Sequence, residues 1–574
     1  MTRLQTTSAY AQQTPHRIVY LTYETPFAPC GGIAAVAARL PEHLKAASAC
    51  ETIVLTPYHH KMEKTRSLSA ESQGRFPIMK DGRALWIELL LFRDKVDWYF
   101  LRTEDPAFFA GERHPYDVAR HTEGIAPRLL EDSLVFGASV GRALRLIDAN
   151  AIWHVLLQDW EAAAAALALA QEPHTHKLYL TLHNSYDTAL EDKDLGRVGI
   201  DPHLCPGKTV LERALGVVDD CVFTVSEQFA LDLTHDLLQS RIMIPHLAAA
   251  LEPRLEGISN GPFTRLQVDS HVVEYATKGD FGPFKAWKAA RRAEALQAMA
   301  DLRSWNDAPV WSDLAVFRQD DAPWFLMAGR DDSRQKGYDL SAAAAEDLLA
   351  SGVDARFLFF PIPGDEGYQG LTFLRDLAER FPEQVAVFPF IWHDGFSATL
   401  QGATFGLMPS LYEPFGMANE FYLNGTAAIA RATGGLAQQI VPRHDAPSFT
   451  PSALRIASNW HAPSAKATGF LYREPAEIES ALDDWRIIVE SAYLLWENAA
   501  DRLSERIKLP LFRAMAASLR TAVHDGVRLY TEEPEEYYRM LTAGIQHIER
   551  SFSWERSAHG YVGAMELPQI GEPS

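Results

Sequence analysis

Residues 17–58 constrain the fold more than any other stretch. "RIVYLTYE" (17–24) is a short run of branched and aromatic residues, the pattern of a buried strand. After "TPFAPCGG" comes "IAAVAARLPEHLKAA", where Ile33, Val36, Leu40 and Leu44 share one helical face, and "ETIVLTPY" reads as the next strand. Strand, glycine-rich turn, helix and strand form a βαβ unit, which commits the chain to a parallel sheet. "KLYLTLHNS" and "DDCVFTVSE" add further strands, each followed by a helical pattern. The same order restarts at "PWFLMAGR" (323–330), with the helix "KGYDLSAAAAEDLLASG" ending at a glycine. "RFLFFPIPG", "VAVFPFI", "TFGLMPS" and "TAAIARATGG" follow as strands or strand ends. No sequence repeat links the halves; only the architecture recurs. The stretch 301–322, with its prolines and acids, reads as the interdomain connection, and a helical tail begins near residue 475. The expectation is an α/β protein of two doubly wound domains, with ligand at the carboxyl ends of the strands.

The chain has 574 residues, enough for two large domains. Its 54 basic against 75 acidic side chains give a formal charge of −21, which repels phosphate backbones at long range and argues against a nucleic-acid partner. A small anionic ligand would need local cations to override that field. Cys30, Cys50, Cys205 and Cys221 are too few for a disulfide framework and lack metal-site spacing, so no metal is expected. "MTRLQTTSAYAQQTPHR" has no apolar core of a signal peptide, and "AAAAALALA" (162–170) is too short to cross a bilayer. A cytoplasmic protein without membrane contact is expected.

The second half carries the strongest chemical signals. "PSLYEPFGMANEFYLNG" (409–425) sets a Pro- and Gly-containing loop before a helical run, with Glu413 in the loop and Glu420 seven residues on. A helix N-terminus suits phosphate, whereas the acids suit hydroxyls; a sugar nucleotide carries both. "GRDDSRQKG" places Arg330 at a strand end and Lys336 before a helix, two cations able to hold a diphosphate as it leaves. A solvated turn with ordinary surface charges would look the same. Trp392 ends a strand, where its indole suits stacking on a base as well as a place in the core. Gly434 and Gly435 let backbone approach a ligand closely, or simply turn the chain. In the first half, "PCGG" opens a helix directly after a strand, His183 sits at another strand end, and "ISNGPF" offers Asn260-Gly261. The histidine and the Asn-Gly pair each fit a structural role equally well.

The ordered set of motifs is more specific than any member. From about residue 17 to "SFSWERSAHGY" (551–561), the chain resembles the glycogen and starch synthases. These are retaining glucosyltransferases of the GT-B fold, with two Rossmann-like domains facing a central cleft. "ETPFAPCGGIAAVAARLP", "TLHNSYD", "CVFTVSEQFA", "SNG", "GRDDSRQKGYDL" and "MPSLYEPFGMANE…GTAAIARATGGLA" occur in the family's order. The resemblance implies an N-terminal acceptor-side domain at 16–300 and a nucleotide-sugar domain at 323–540. A last helix, 541–563, is expected to pack back on the first domain. It implies catalytic roles for His183, Arg330, Lys336 and Glu413, with Arg330 and Lys336 on the donor's phosphates. Donor contacts are implied for Gly31, Gly32, Asn260, Trp392, Phe415, Gly416, Met417, Glu420, Gly434 and Gly435. The Arg330–Lys336 spacing resembles the eukaryotic branch, one residue longer than the usual bacterial form. Glu420 follows Glu413 by seven residues rather than eight, yet keeps the usual distance to Gly425, which suits ribose binding after a one-residue deletion.

Two departures stand out. Pro29 occupies the place of a lysine that touches the donor, and Ala418 that of a threonine. The implied partners are ADP-glucose or UDP-glucose and an α-1,4-glucan, with no cofactor and a cleft that closes on substrate. The two departures keep open another nucleotide sugar or a small acceptor; a catalytically silent glucan-binding relative is the reading from a different class. Oligomeric state is not legible in the sequence.

Overall fold

A computed structural model describes residues 15–118, 127–172, 176–204, 206–218, 221–302, 310–318, 320–364, 366–494 and 498–570. Cys205, the leader and parts of the expected 301–322 connection therefore lie outside the described residues. Two compact units are present: one comprises Met1–Thr224, Ala249–Ile258 and Trp554–Ser574, the other Val225–Ala248 and Ser259–Ser553.

The first unit is built on nine strands: β1 His16–Leu21, β2 Glu51–Pro57, β3 Glu71–Lys80, β4 Arg83–Arg93, β5 Asp97–Thr103, β6 Ile152–Gln158, β7 Lys177–Leu182, β8 Val222–Thr224 and β9 Leu255–Gly257. Their order is β3-β4-β5-β2-β1-β6-β7-β8-β9. From β5 through β9 all pairings are parallel, as the βαβ grammar requires. β3 and β4 are antiparallel to their neighbours, an arm the repeating grammar does not contain. Asp81 and Gly82 turn the hairpin, both at positive φ (52° and 74°), the conformation a two-residue Asp-Gly hairpin turn takes. β1 is buried from Ile18 to Leu21, as expected for a central strand covered on both faces. The helix expected over 33–47 is two helices, Gly32–Ala37 and Leu40–Ala47. Pro41 stands in the first turn of the second, where its missing N–H costs no helical bond.

The second unit holds β10 Trp324–Arg330, β11 Arg356–Ile362, β12 Val385–Val387, β13 Phe405–Met408, β14 Ala427–Arg431 and β15 Phe470–Tyr472. They form one all-parallel sheet in the order β12-β11-β10-β13-β14-β15.

The domain boundaries differ from those expected at both ends. Residues 259–301 pack in the second unit, because the helix Gly282–Asp301 carries a buried lysine into it. Lys288 Nζ donates to the carbonyls of Gln401 (2.9 Å), Ala403 and Gly425 (2.7 Å). Three acceptors match the three donors of an ammonium group, while burial pushes the lysine's pKa well down. At the other end, the helix Pro534–Ser551 stays with the second unit, where a side chain on Gly544 would strike the Tyr422 ring at 2.4 Å. Only from Trp554 onward does the chain join the first unit; there Tyr561 packs edge-on against Phe223 with centroids 4.7 Å apart. Among the described residues, no helix is long and apolar enough to cross a membrane.

Candidate active site

In the second unit Arg330, Lys336 and Glu413 sit at or beyond the carboxyl ends of β10 and β13. After Arg330 the chain makes a turn around Asp332, whose carbonyl accepts from the Gln335 and Lys336 N–H groups at 3.0 and 2.9 Å. Inside that turn Arg502 grips Asp331 with two hydrogen bonds of 3.0 Å, and burial nevertheless lifts the Asp331 pKa to about 6. Ser333 donates to Glu366 at 2.9 Å. Acid and serine thus face inward, and Arg330 and Lys336 are left partly exposed, at 44% and 26%.

Lys336 reaches the second loop. Its Nζ lies 3.0 and 2.8 Å from the two carboxylate oxygens of Glu413, and Ser410 donates to the same carboxylate at 2.8 Å. Glycines press these loops together. Gly337 is left-handed (φ +73), and a Cβ there would lie 2.7 Å from the Pro409 carbonyl. Gly434 is left-handed too (φ +45), and its Cβ would fall 1.7 Å from the Glu413 carbonyl. A Cβ on Gly435 would come within 2.3 Å of the Phe415 carbonyl.

These contacts correct the expectation for Gly434 and Gly435. The close approach they allow is to residues 413–415 of the chain itself, not to open space. Their amides are engaged as well: Gly434 N–H donates to Asp232 at 2.7 Å, and Gly435 N–H to Glu413 O at 3.2 Å. By contrast, among the described residues the N–H groups of Phe415, Gly416 and Met417 donate to no protein acceptor. Gly416, at φ +89, gives that segment its shape just before the helix Ala418–Leu423.

Glu420 lies on that helix. One carboxylate oxygen accepts from Phe263 N–H at 2.8 Å; the other is buried and takes no hydrogen bond among the described residues. Burial raises its pKa to about 7, against the pull of the Phe263 N–H. Asn260, three residues before Phe263, likewise has a buried Oδ1 with no partner among the described residues. The structure thus brings the Asn260 loop to Glu420 and places both in the second unit, where the sequence put Asn260 in the first.

Trp392 is a correction. Its indole is stacked with Phe388 (centroids 5.1 Å, 14° between planes) and aligned with Phe360 (6.3 Å, 11°). Gly395 packs so closely on the ring that a Cβ there would lie 1.9 Å away. At 4% exposure the ring serves the core and offers no open face to a base.

The first unit holds His183, Gly31 and Gly32. His183 follows β7; its Nε2 lies 2.7 Å from Gln158 Oε1, while the Gln158 amide nitrogen donates to Leu156 O at 3.1 Å. That arrangement assigns the ring proton to Nε2 and leaves Nδ1 as an acceptor. Burial depresses the His183 pKa to about 3, so the ring is neutral at physiological pH.

Asp159, which the sequence reading missed, fixes this corner. It takes the His183 N–H at 2.6 Å and the Asn184 side-chain amide at 2.8 Å, and it is left-handed at φ +55, unusual for a non-glycine residue. Burial lifts its pKa to about 8 despite those donors, and the nearby Glu24 carboxylate adds to the rise. Glu24, also missed, receives the N–H groups of Cys30, Gly31 and Ala34 on one oxygen and the Tyr116 hydroxyl on the other. The Gly31 amide is therefore already taken inside the fold. A Cβ at Gly31 or Gly32 would meet nothing within 4 Å, so here the glycines border open space. The one sequence signal for these acids is their place: each lies at, or just beyond, the end of a strand of the βαβ pattern.

Known proteins bear on this arrangement. Residues 17–241 match a family model described as the starch synthase catalytic domain, and residues 286–503 match one described as a family 4 glycosyltransferase in conflict systems. The chain is 27% identical to a glycogen synthase of Thermotoga maritima over 527 residues, covering 86% of this chain and 99% of that one. It is 25% identical to a glycogen synthase of Thioalkalivibrio sulfidiphilus over 490 residues, covering 80% and 93%. Its structure is similar to the catalytic domain of starch synthase IV from Arabidopsis thaliana bound to ADP and acarbose, with a TM-score of 0.66 at 15% identity over 96% of this chain and 99% of that one. The fold is GT-B, two α/β domains with parallel sheets. The chain is a nucleotide-sugar glycosyltransferase, similar in sequence to the glycogen synthases over most of its length.

Proposed function

We propose that this enzyme moves glucose from ADP-glucose or UDP-glucose to the non-reducing end of an α-1,4-glucan with retention of configuration. The observation that carries the proposal is the Lys336–Glu413 pair, an ammonium and a carboxylate held on two loops that glycines clamp together. Arg330 and Lys336 offset the charge that grows on the diphosphate as the bond from its oxygen to the anomeric carbon breaks. Glu413 accepts sugar hydroxyls and steadies positive charge at that carbon, while the N–H groups of Phe415, Gly416 and Met417 serve sugar and phosphate. The acceptor's hydroxyl oxygen then bonds to the same face and passes its proton to the departing phosphate oxygen. His183 contributes as a neutral hydrogen-bonding group near the sugar, since its depressed pKa removes it as an acid. Glu420 and Asn260, each with a buried oxygen that has no partner among the described residues, take donor hydroxyls, Glu420 those of the ribose. No metal or cofactor enters the proposal.

A second reading rests on Pro29 and Ala418. Pro29 is exposed yet brings no cation, and Ala418 is fully buried in its helix, so neither offers the donor a polar group. A different nucleotide sugar or a small acceptor would suit that loss.

The test is nucleoside diphosphate release from ADP-glucose and from UDP-glucose, with and without glycogen. Glucan-dependent release from one donor, lost in Glu413→Ala, supports the synthase reading and names the nucleotide. Release indifferent to glucan favours the second reading, and no release from either donor defeats the first.

A further inference from the structure

Arg431, the last residue of β14, carries a guanidinium group that solvent hardly reaches; its side chain is 1% exposed. A buried cation is costly unless it is paired and its donors are engaged. Part of that need is met by an ion pair. Nε donates to Glu474 Oε2 at 2.9 Å and Nη2 to Glu474 Oε1, so one edge of the fork grips a carboxylate that is itself fully buried. Burial works against ionisation of Glu474, but Arg431 and, behind it, Arg473 at 3.7 Å outweigh it and hold the carboxyl below its usual range. The Trp485 ring lies 5.5 Å from the guanidinium carbon.

The remaining nitrogen makes a bond that the ion pair does not require. Nη1 donates to the Leu411 carbonyl at 2.6 Å, in the loop that leaves β13. Leu411 is held on its other side as well, because its N–H donates to the Gln335 carbonyl at 2.7 Å. Both peptide planes flanking Leu411 are thus fixed, one by the residue before Lys336 and the other by Arg431. The residues next to these planes are those of the proposed chemistry. Ser410 donates to the Glu413 carboxylate at 2.8 Å, and only Tyr412 separates the Arg431-bound carbonyl from Glu413. Beyond Glu413 the loop has separate ties: Ser226 donates to the Pro414 carbonyl at 2.5 Å, and Gly435 N–H to the Glu413 carbonyl at 3.2 Å. The approach to Glu413 from β13 depends on Arg431.

We infer that Arg431 is a positioning residue for the transfer step: its hydrogen bond to the Leu411 carbonyl fixes the Glu413 carboxylate against Lys336, and Glu474 aims the guanidinium for that bond. This rests on the role given to Glu413 above.

The experiment compares the unaltered full chain with the double variant Arg431→Met/Glu474→Met and with Arg431→Lys. The double change removes a cation and an anion together, so it leaves no unpaired charge, and apolar chains of similar volume are commonly tolerated in such places. Arg473 keeps Asp236 at 2.6 Å and Glu479. The thioether offers no donor to the Leu411 carbonyl. Arg431→Lys instead keeps a cation beside Glu474 without the second arm. Folding is followed by thermal melting, nucleoside diphosphate affinity by calorimetric titration with ADP and UDP, and kcat by diphosphate release from ADP-glucose and UDP-glucose with glycogen. In a variant that folds, kcat falls by about tenfold or more while diphosphate affinity stays within about threefold, as a small misplacement of one catalytic group predicts. An unchanged kcat, or an equal loss of kcat and of diphosphate affinity, would overturn the inference alone. So would failure of both variants to fold, which would give Arg431 to the fold as a whole. An unaltered chain that releases diphosphate from neither donor would overturn it together with the reading on which it rests.

Discussion

Glu420 is the residue whose chemistry the structure states most sharply. It is an acid placed where ionisation is unfavourable, with one oxygen satisfied by Phe263 N–H and the other without a hydrogen bond among the described residues. With its pKa raised to about 7, the group is mostly protonated below that pH and ionised above it. A ribose hydroxyl donates best to the ionised form, so donor affinity is expected to rise with pH through about 7. Glu420→Gln abolishes this dependence and weakens the donor by about 1.5–3 kcal/mol, the worth of a hydrogen bond to a charged group. Donor KM measured from pH 5.5 to 8.5 in both proteins checks this; a pH profile shared by the two removes the role. At this scale the places of Arg330, Lys336, Glu413 and Glu420 at strand ends and in one helix were legible from motif and spacing, while their roles rest on the resemblance. The sequence did not show Asp159 and Glu24. Their work is to hold His183 and the Gly31 turn by hydrogen bonds between residues remote in sequence, which no local pattern records.

Among the elements, the helix Gly282–Asp301 owes its place to Lys288. Removing the ammonium leaves the carbonyls of Gln401, Ala403 and Gly425 without that donor in a site closed to water. Lys288→Met is expected to destabilise the second unit by about 3 kcal/mol, the upper range for buried groups left unpaired. A urea titration of the two proteins measures it, and an unchanged midpoint would show that the apolar side chain fills the site equally well. The strands of the parallel sheets were legible because strands buried on both faces read as continuous apolar runs. The β3–β4 arm was not, for it departs from the repeating βαβ order. Its Asp81-Gly82 pair was the available signal. The helix expected over 33–47 broke at a boundary that Pro41 already marked. Trp392 shows the opposite failure: a strand end fixes where an aromatic stands, but not that Phe360, Phe388 and Gly395 will enclose it.

For the whole molecule, the final helix has a larger part than its length suggests. Trp554–Ala564 buries Trp554, Ala558, Tyr561 and Val562 within the first unit, although the residues before it belong to the second. Ending the chain after Ser553 is expected to cost the first unit at least about 5 kcal/mol, counting three large side chains at the usual apolar burial. Scanning calorimetry of the shortened chain should show one transition lowered and the other little changed; a uniform shift of a single transition would mean that the units melt together.

The backbone passes between the units four times, after Thr224, Ala248, Ile258 and Ser553. Neither unit is therefore a continuous piece of the gene. A chimera that exchanges one unit for that of a relative must replace separate segments and match four junctions at once. A single crossover in the middle of the coding sequence would pair each sheet with a partial set of its own supports. Recombination has then had little freedom to trade one half of this enzyme for another. New donor or acceptor preferences in such a chain arise more readily by substitution at single positions such as Pro29 and Ala418.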